Sequence, residues 1–160
     1  MNTSGAIFIH SAPAALCPHI EWAIEAVLGH DVEIDWSSQP AEPRMSRAEI
    51  SWTAAPGTSA GLASALRHCK QIRFEVTEDP VDGHGERYMF TPRLGMFHSL
   101  TMENGDIALG EQQLRALLDT AKDGELRHGL QDLLGEPWDD ELEPFRYADD
   151  YTVRWLSAAV

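Results

Sequence analysis

AIFIH at residues 6–10, VEIDW at 32–36, AEISW at 48–52 and IRFEV at 72–76 are the four stretches that decide the fold. The first is almost wholly apolar, and the other three alternate apolar and polar residues strictly. Strict alternation is typical of a half-buried strand, because successive side chains point to opposite faces of a sheet. We therefore expect four β-strands in the first half of the chain.

Helical patterns lie between these strands. After a loop at Ser11-Ala12-Pro13, a helix is expected to begin near Cys17, since Pro18 suits a first helical turn, and to end at Gly29. A second helix is expected from Thr58 or Ser59 to His68. The resulting order, β-α-β-β-α-β, is the ferredoxin-like arrangement.

The alternation also assigns the faces of this sheet. One face is expected to lie under the two helices, and the opposite face is expected to be at least partly exposed to water. The covered face would carry Val32, Ile34, Trp36, Ala48, Ile50, Trp52, Ile72, Phe74 and Val76, and the opposite face Glu33, Asp35, Glu49, Ser51, Arg73 and Glu75.

The second half of the chain is expected to add strands and helices to this unit. Residues 79–85 are typical of a loop or linker by composition, and strands at 87–91 and 94–102 are followed by a hairpin turn at 103–106 that returns through Ile107. Two helices are expected at 111–121 and 125–134 with their leucines inward, an irregular segment at 136–147, and a last strand at 151–156. The expected class is α+β, with a ferredoxin-like unit at 1–79, and a hairpin, two helices and an acidic segment at 80–160. This second part would be either an extension of the first sheet or a small subdomain.

The charge of the chain is strongly negative and unevenly distributed. Twelve Lys and Arg residues stand against 26 Asp and Glu residues, a net charge of −14. Residues 119–150 alone hold 3 basic and 11 acidic residues. Because nucleic-acid binding depends on basic residues at phosphates, we expect no nucleic-acid partner, and the same charge opposes an anionic membrane surface. A basic protein partner would instead be attracted.

The remaining composition favours the cytoplasm. No apolar run has the length of a membrane span, and residues 1–9 carry neither the basic start nor the apolar core of a signal peptide. Cys17 and Cys69 are too few for a disulfide scaffold, so both are expected to be thiols.

Three stretches of the chain resemble one family when they are taken together. They are HSAP with LCPHIEWA at residues 10–23, RFEVTE at 73–78, and WDDELEPFRY at 138–147. The chain resembles an uncharacterised actinobacterial family, a domain of unknown function, over nearly its whole length. The resemblance implies a bacterial cytoplasmic protein and implies no activity.

Residues 10–19 form the first candidate site. If Cys17 lies at the start of the first helix, its thiol faces free N–H groups that favour anions and lower thiol pKa values. His10 and His19 could then complete an activated thiol or an anion pocket. The alternative is that Cys17 is buried for packing and that His19 is solvated at the helix start, which is how most cysteines of this kind are explained.

Metal, cofactor and standard catalytic motifs are not indicated. Cys17, His19, His68 and Cys69 have Cys-x-His and His-Cys spacings rather than the Cys-x-x-Cys spacing of a zinc site. The sequence contains no dinucleotide fingerprint, no Gly-x-Ser-x-Gly elbow and no His-Glu-x-x-His motif. No metal and no cofactor is therefore expected.

The acidic C-terminal segment is the second candidate site. Aromatic residues set among charges are enriched in protein interfaces, although the same aromatics could simply pin the segment to the core. The candidate binding residues are Trp138, Asp139, Asp140, Glu141, Glu143, Phe145, Arg146 and Tyr147.

Two functions remain open from the sequence. The first is a non-enzymatic module that binds or regulates a protein partner through the exposed sheet face or the acidic segment. The alternative is a small enzyme or an anion- or ligand-binding protein that uses residues 10–19 as its pocket.

Overall fold

One antiparallel sheet organises the protein in the computed structural model, which describes residues 1–148. The strands run in the order β2-β3-β1-β4-β5-β6-β7. They are β1 (Thr3–Pro13), β2 (Ser37–Ser38), β3 (Met45–Ala54), β4 (Arg73–Val81), β5 (His84–Thr91), β6 (Gly95–Met102) and β7 (Ile107–Ala108). The α-helices within residues 1–148 are α1 (Cys17–Leu28), α2 (Thr58–Leu66), α3 (Glu111–Thr120), α4 (Leu126–Leu133) and α5 (Glu136–Arg146). The expected α+β class is confirmed.

The main core lies between α1, α2 and the first face of the sheet. Residues paired across β3, β1 and β4, such as Ile50, Ile7 and Val76, share this face and are buried. Ile20 and Ile24 of α1 meet them from the helix layer. The face assignment made from the alternation is therefore confirmed for Ile50 and Trp52 of β3 and for Phe74 and Val76 of β4, which are all buried.

Both helices of this layer begin close to the expected residues. Cys17 is the first residue of α1 and Pro18 lies in its first turn, while Gly29 ends the helix at φ 77°. The start of α2 is capped from a distant strand. The Glu78 carboxylate accepts hydrogen bonds from the backbone N–H groups of Gly57 (2.7 Å) and Ser59 (3.0 Å), which have no partners within the helix.

The expected strand at residues 32–36 is wrong. Residues 31–36 have no regular secondary structure, and only Ser37–Ser38 pair with β3 as β2. Side chains of α1 hold the segment in place of a strand ladder, since Glu25 accepts from the Val32 N–H and Glu21 accepts from the Trp36 indole. The apolar residues of the segment still pack against the core, which explains why they alternate.

Residues 79–85 form a tight hairpin between β4 and β5 rather than a loop or linker. Asp82 and Gly83 both have positive φ (54° and 94°), as a two-residue hairpin turn of the primed type requires. Gly85 allows the strands to approach, because a Cβ there would lie 2.3 Å from the backbone oxygen of Glu78. Asp82, Gly83 and Gly85 therefore shape a hairpin within the sheet.

The second face of the sheet is covered in part by α5, although residues 136–147 were expected to be irregular. Pro137 lies in the first turn of the helix, where it costs no hydrogen bond. Leu142 is completely buried against Met89 of β5 and Phe97 of β6. The second face was expected to be at least partly exposed, and Glu49 and Ser51 of β3 are exposed, whereas α5 covers the part of the face near Met89 and Phe97.

The leucines of α3 and α4 were expected to point inward, and several do not. Leu118 is 65% exposed, Leu126 40% and Leu134 44%. The two helices pack against each other, and α4 packs against α5, so their outer sides face solvent in the described part of the chain. The strand expected at 151–156 lies outside the described residues.

Candidate ligand-binding cleft

A β-bulge in β1 creates the site. Opposite β4, Ile9 pairs with Phe74 and Ser11 pairs with Arg73, so His10 is one extra residue in β1. A bulge breaks the alternation of the strand. His10 lines the cleft on the second face of the sheet, and on that face the Ser11 hydroxyl accepts a hydrogen bond from Arg73 (3.1 Å).

Glu75 is the centre of an ionic cluster on this face. Its carboxylate accepts hydrogen bonds from His10 Nε2 (2.6 Å), from Arg87 Nη2 (3.1 Å), and from Nε (2.9 Å) and Nη2 (2.5 Å) of Arg146. Both arginines also donate to Asp139 Oδ1, at 3.0 and 2.9 Å. Strands β1, β4 and β5 and helix α5 each contribute to this cluster, which we call the Glu75 cluster.

Glu75 is 5% exposed, so its charge needs these partners. Burial raises the pKa of Glu75, but the hydrogen bonds and charges of His10 and Arg146 outweigh burial and lower it to about 2. Burial likewise lowers the pKa of Arg146, while Glu75 and Asp139 raise it further than burial lowers it. At neutral pH the buried pair of Glu75 and Arg146 is therefore ionised.

The ionised Glu75 fixes the protonation pattern of His10. A carboxylate can only accept hydrogen bonds, so the 2.6 Å contact requires a proton on His10 Nε2. When the imidazole carries this single proton, Nδ1 has the lone pair. Within residues 1–148, Nδ1 makes no hydrogen bond, and protein atoms do not fully enclose it. The lone pair therefore reaches the solvent-filled space beside it.

That space is a cleft of about 780 Å³ between the second face of the sheet and the C-terminal end of α5. Its size lies within the range of small-molecule sites. Acidic, basic and aromatic residues all reach it. The side chains used in the argument below are Phe8, His10, Glu75, Arg87, Phe145 and Arg146, with Asp35, Arg47, Glu49 and Tyr147 nearer its edge.

Three further contacts hold the end of α5 over the sheet. The buried Gln39 amide donates to the backbone oxygens of His10 (2.6 Å) and Phe145 (3.3 Å), which ties β1 to α5. Arg47 donates to the backbone oxygen of Ala148. The Arg73 guanidinium lies 4.5 Å from the centre of the Phe145 ring. One wall of the cleft is therefore attached to its floor.

The acidic segment that was expected to bind a partner is largely used within the protein. The Trp138 indole donates to the backbone oxygen of Gly95 (2.9 Å), and Glu141 accepts from Arg93. Asp139 and Arg146 belong to the Glu75 cluster, and Phe145 lies beneath Arg73. Exposed members of the segment are Asp140, Glu143 and Tyr147.

The structure does not bring the residues of the first candidate site together. His10 is bonded to Glu75, while the exposed His19 packs edge-on against Trp22 at 5.2 Å. Cys17 Sγ contacts the Pro13 backbone oxygen at 3.9 Å. Burial raises the pKa of the Cys17 thiol, which is the direction opposite to thiol activation. Within the described residues, no group of three or more His, Cys, Asp and Glu side chains could hold a metal ion.

Sequence reasoning identified His10 and Arg146 but not their common partner. Glu75 was placed on a face expected to be at least partly exposed to water, and Arg87 was not singled out. The pattern RFEVTE contains a signal, because a charged residue in the middle of a central strand needs a partner if that face is covered. The sequence analysis did not predict that α5 would form and cover this face.

Comparisons with known proteins give a family and no activity. No curated protein and no solved structure matches the chain. Within residues 1–148, no helix is both long and apolar enough to cross a membrane. The family described as "Protein of unknown function (DUF3145)" matches residues 6–158, which include every element described above except the first three residues of β1. The chain belongs to this family of proteins of unknown function.

Proposed function

We propose that this protein is a binding protein for a small molecule, which occupies the cleft between the second sheet face and the end of α5. One observation carries the proposal: a cleft of about 780 Å³ holds a buried His10–Glu75 pair whose free imidazole nitrogen reaches it. Ligand sites typically combine such a volume with a few convergent polar groups. This cleft, and not the loop of residues 10–19, is the proposed pocket. Of residues 10–19, only His10 lines it.

Glu75 itself is not suited to act as a general acid or base. A general acid or base needs a pKa near the working pH, whereas the pKa of Glu75 is lowered to about 2. Its carboxylate is also engaged by three side chains, two of which are always cationic. Glu75 therefore acts as a fixed anion that positions His10, Arg87 and Arg146.

A steric block of the cleft tests this proposal. Ser37 and Ser38 are neighbouring exposed residues of β2, but only Ser37 lines the cleft. Ser37→Trp should fill the cleft, and Ser38→Trp adds the same bulk outside it. A fluorinated fragment library should be screened by ligand-observed ¹⁹F NMR. We expect hits that are lost in Ser37→Trp and retained in Ser38→Trp.

The outcome of the screen is decisive in both directions. Hits that survive in Ser37→Trp would place the binding elsewhere on the protein. A library without a single hit on the wild-type protein would contradict the proposal as a whole. Circular dichroism of both variants should show the same fold as the wild type.

We also propose that the first four strands and two helices form a ferredoxin-like unit. The support is the order β2-β3-β1-β4 with antiparallel neighbours and with α1 and α2 on one face. In this proposal β5, β6 and β7 extend the same sheet, and α5 covers part of its second face. The cleft then lies where the unit and its extension meet.

Binding of a protein partner is a second candidate function. The surface that favours it is formed by α3 and α4, and not by the segments named from the sequence. The exposed Leu118, Leu126 and Leu134 favour it, because acidic residues, including Asp119, Glu125 and Asp132, lie close to them in the chain. A partner with apolar residues among Lys and Arg would match this surface.

Paired leucine variants test the docking candidate. Affinity purification from the native host should recover a defined partner that is lost with Leu118→Ser/Leu134→Ser and weakens as salt rises. Leu100→Ser is the control, since Leu100 is equally apolar and 40% exposed but lies on β6. A partner that persists in the double variant would exclude this surface.

A further inference from the structure

We propose that the ligand of the cleft is an aromatic monocarboxylate with a hydroxyl group next to the carboxylate. This inference rests on the proposed function and adds the chemical class of the ligand. Three features of the lining carry it: guanidinium donors that remain available, an imidazole acceptor, and aromatic side chains.

The guanidinium groups provide the carboxylate site. Arg146 uses Nε and Nη2 for Glu75 and Asp139, and Arg87 uses Nη2, so Nη1 of each is not engaged by another described residue. Both arginines line the cleft. Each free Nη1 can donate a hydrogen bond to a ligand carboxylate, and such bonds are stronger than neutral ones because both partners are charged. Glu75 and Asp139 hold the two guanidinium groups in place before a ligand arrives.

The His10 imidazole provides the hydroxyl site. Its Nε2–H is committed to Glu75, so Nδ1 can accept a hydrogen bond from the ligand. The same Glu75 carboxylate binds both His10 and Arg146, which places the acceptor close to the guanidinium donors. A ligand whose hydroxyl and carboxylate lie on adjacent carbons could reach both groups at once.

Aromatic residues form the sides of the cleft. Phe8 lies on the floor and stacks with His10 at 6.1 Å, while Phe145 and Tyr147 belong to the α5 wall. Tyr147 is 72% exposed, so a bound ring would cover apolar surface that water now contacts. Burial of apolar surface supplies most of the affinity of small ligands, and ring–ring contacts add to it.

The acidic residues at the edge restrict the charge of the ligand. Asp35 and Glu49 line the cleft, are exposed, and form no ion pair within residues 1–148. The protein as a whole carries a net charge of −14. A phosphate dianion would therefore meet more repulsion than a monocarboxylate, while the guanidinium groups could satisfy either.

Four matched aromatic probes test the hydroxyl, the carboxylate and the charge of the ligand separately. Mandelate has the ring, the hydroxyl and the carboxylate. Phenylacetate lacks the hydroxyl, benzyl alcohol lacks the carboxylate, and phenyl phosphate carries a dianion near neutral pH. Titration of the full-length protein by NMR at pH 7.5 should give the tightest binding for mandelate. We expect phenylacetate to bind roughly five- to tenfold more weakly, which is the range for one lost hydrogen bond.

The His10→Phe variant should remove this difference while it retains the ring contacts. Because His10→Phe also removes a partner of Glu75, the variant could lose stability, and ¹⁵N NMR of wild-type His10 is an independent measurement. On addition of mandelate, and not of phenylacetate, the unprotonated Nδ1 signal should shift in the direction of hydrogen-bond acceptance. An unchanged Nδ1 signal, or equal affinities of mandelate and phenylacetate, would overturn the hydroxyl site.

The failure of this inference can be distinguished from the failure of the proposed function. If mandelate and phenylacetate do not bind but other fragments bind and are lost in Ser37→Trp, the ligand class is wrong and the cleft remains a binding site. Phenyl phosphate binding more tightly than mandelate would likewise reject the monocarboxylate class. If no fragment binds in the cleft, both proposals fail.

Discussion

Glu75 shows how a charged side chain can be kept inside this protein. Removing a carboxylate from water is costly, and an ion pair repays that cost only when the hydrogen-bond geometry is good. Glu75 accepts four hydrogen bonds from His10, Arg87 and Arg146. Removing one partner of such a cluster leaves other charges buried and unpaired, so the cluster should be sensitive to single substitutions.

The lowered pKa of Glu75 predicts acid sensitivity. Its pKa is about 2 in the folded protein and 4.5 as the ordinary value, so folding favours the ionised form. The resulting stabilisation is present above pH 4.5 and is lost as the pH falls towards 2. A shift of this size corresponds to about 3 kcal/mol. Urea unfolding of the wild type should show this loss over that pH range.

Glu75→Gln removes the titrating group and should be the less stable protein at neutral pH. The difference in unfolding free energy between wild type and variant should then shrink as the pH falls from 4.5 to 2. The matched control is Glu49→Gln, since Glu49 lies on the same face and is exposed. A difference that stays constant with pH would show that Glu75 contributes through packing and not through its charge.

Helix α5 is the element that creates the cleft and encloses Glu75. Its sequence appeared irregular because Pro137 and Pro144 lie within ten residues of each other. Pro137 lies in the first turn, where a missing N–H costs no hydrogen bond, whereas Pro144 lies inside the helix and removes the hydrogen bond to the Asp140 carbonyl. Leu142 then points into the sheet, and its face is fixed by the tertiary contact with Met89 and Phe97.

Leu142→Ala should weaken the packing of α5 on the sheet. Leu142 is completely buried, so we expect a loss of about 2–5 kcal/mol in the free energy of unfolding. Leu118→Ala is the matched control, because Leu118 is 65% exposed on α3 and should change stability by less than about 0.5 kcal/mol. Hydrogen exchange should show faster exchange in α5 of the Leu142 variant. Equal stability of the two variants would mean that α5 contributes little to the folded state.

The whole molecule joins the two halves of the sequence through one sheet. The composition of residues 79–85 suggested a linker, but Asp82-Gly83 is a strong hairpin signal when strands flank it on both sides. The excess of acidic residues after residue 118 falls largely on α3, α4 and α5. Some of those acids, such as Asp139 and Glu141, form ion pairs with arginines of the sheet region. Part of the negative charge is therefore used in contacts within the protein.

The sequence by itself determined the α+β class, the first core face, the limits of α1 and the start of α2, because alternation, spacing and helix-capping residues are local properties. The strand that it predicted at residues 32–36 is wrong, because alternation indicates which side chains are buried and does not show that the segment pairs with another strand. Only the tertiary structure decided what covers the second face. Arg146 and Glu75 are 71 residues apart in the chain, and no local pattern specifies that contact. The Glu75 cluster and the cleft beside it exist because α5 folds back over the centre of the sheet.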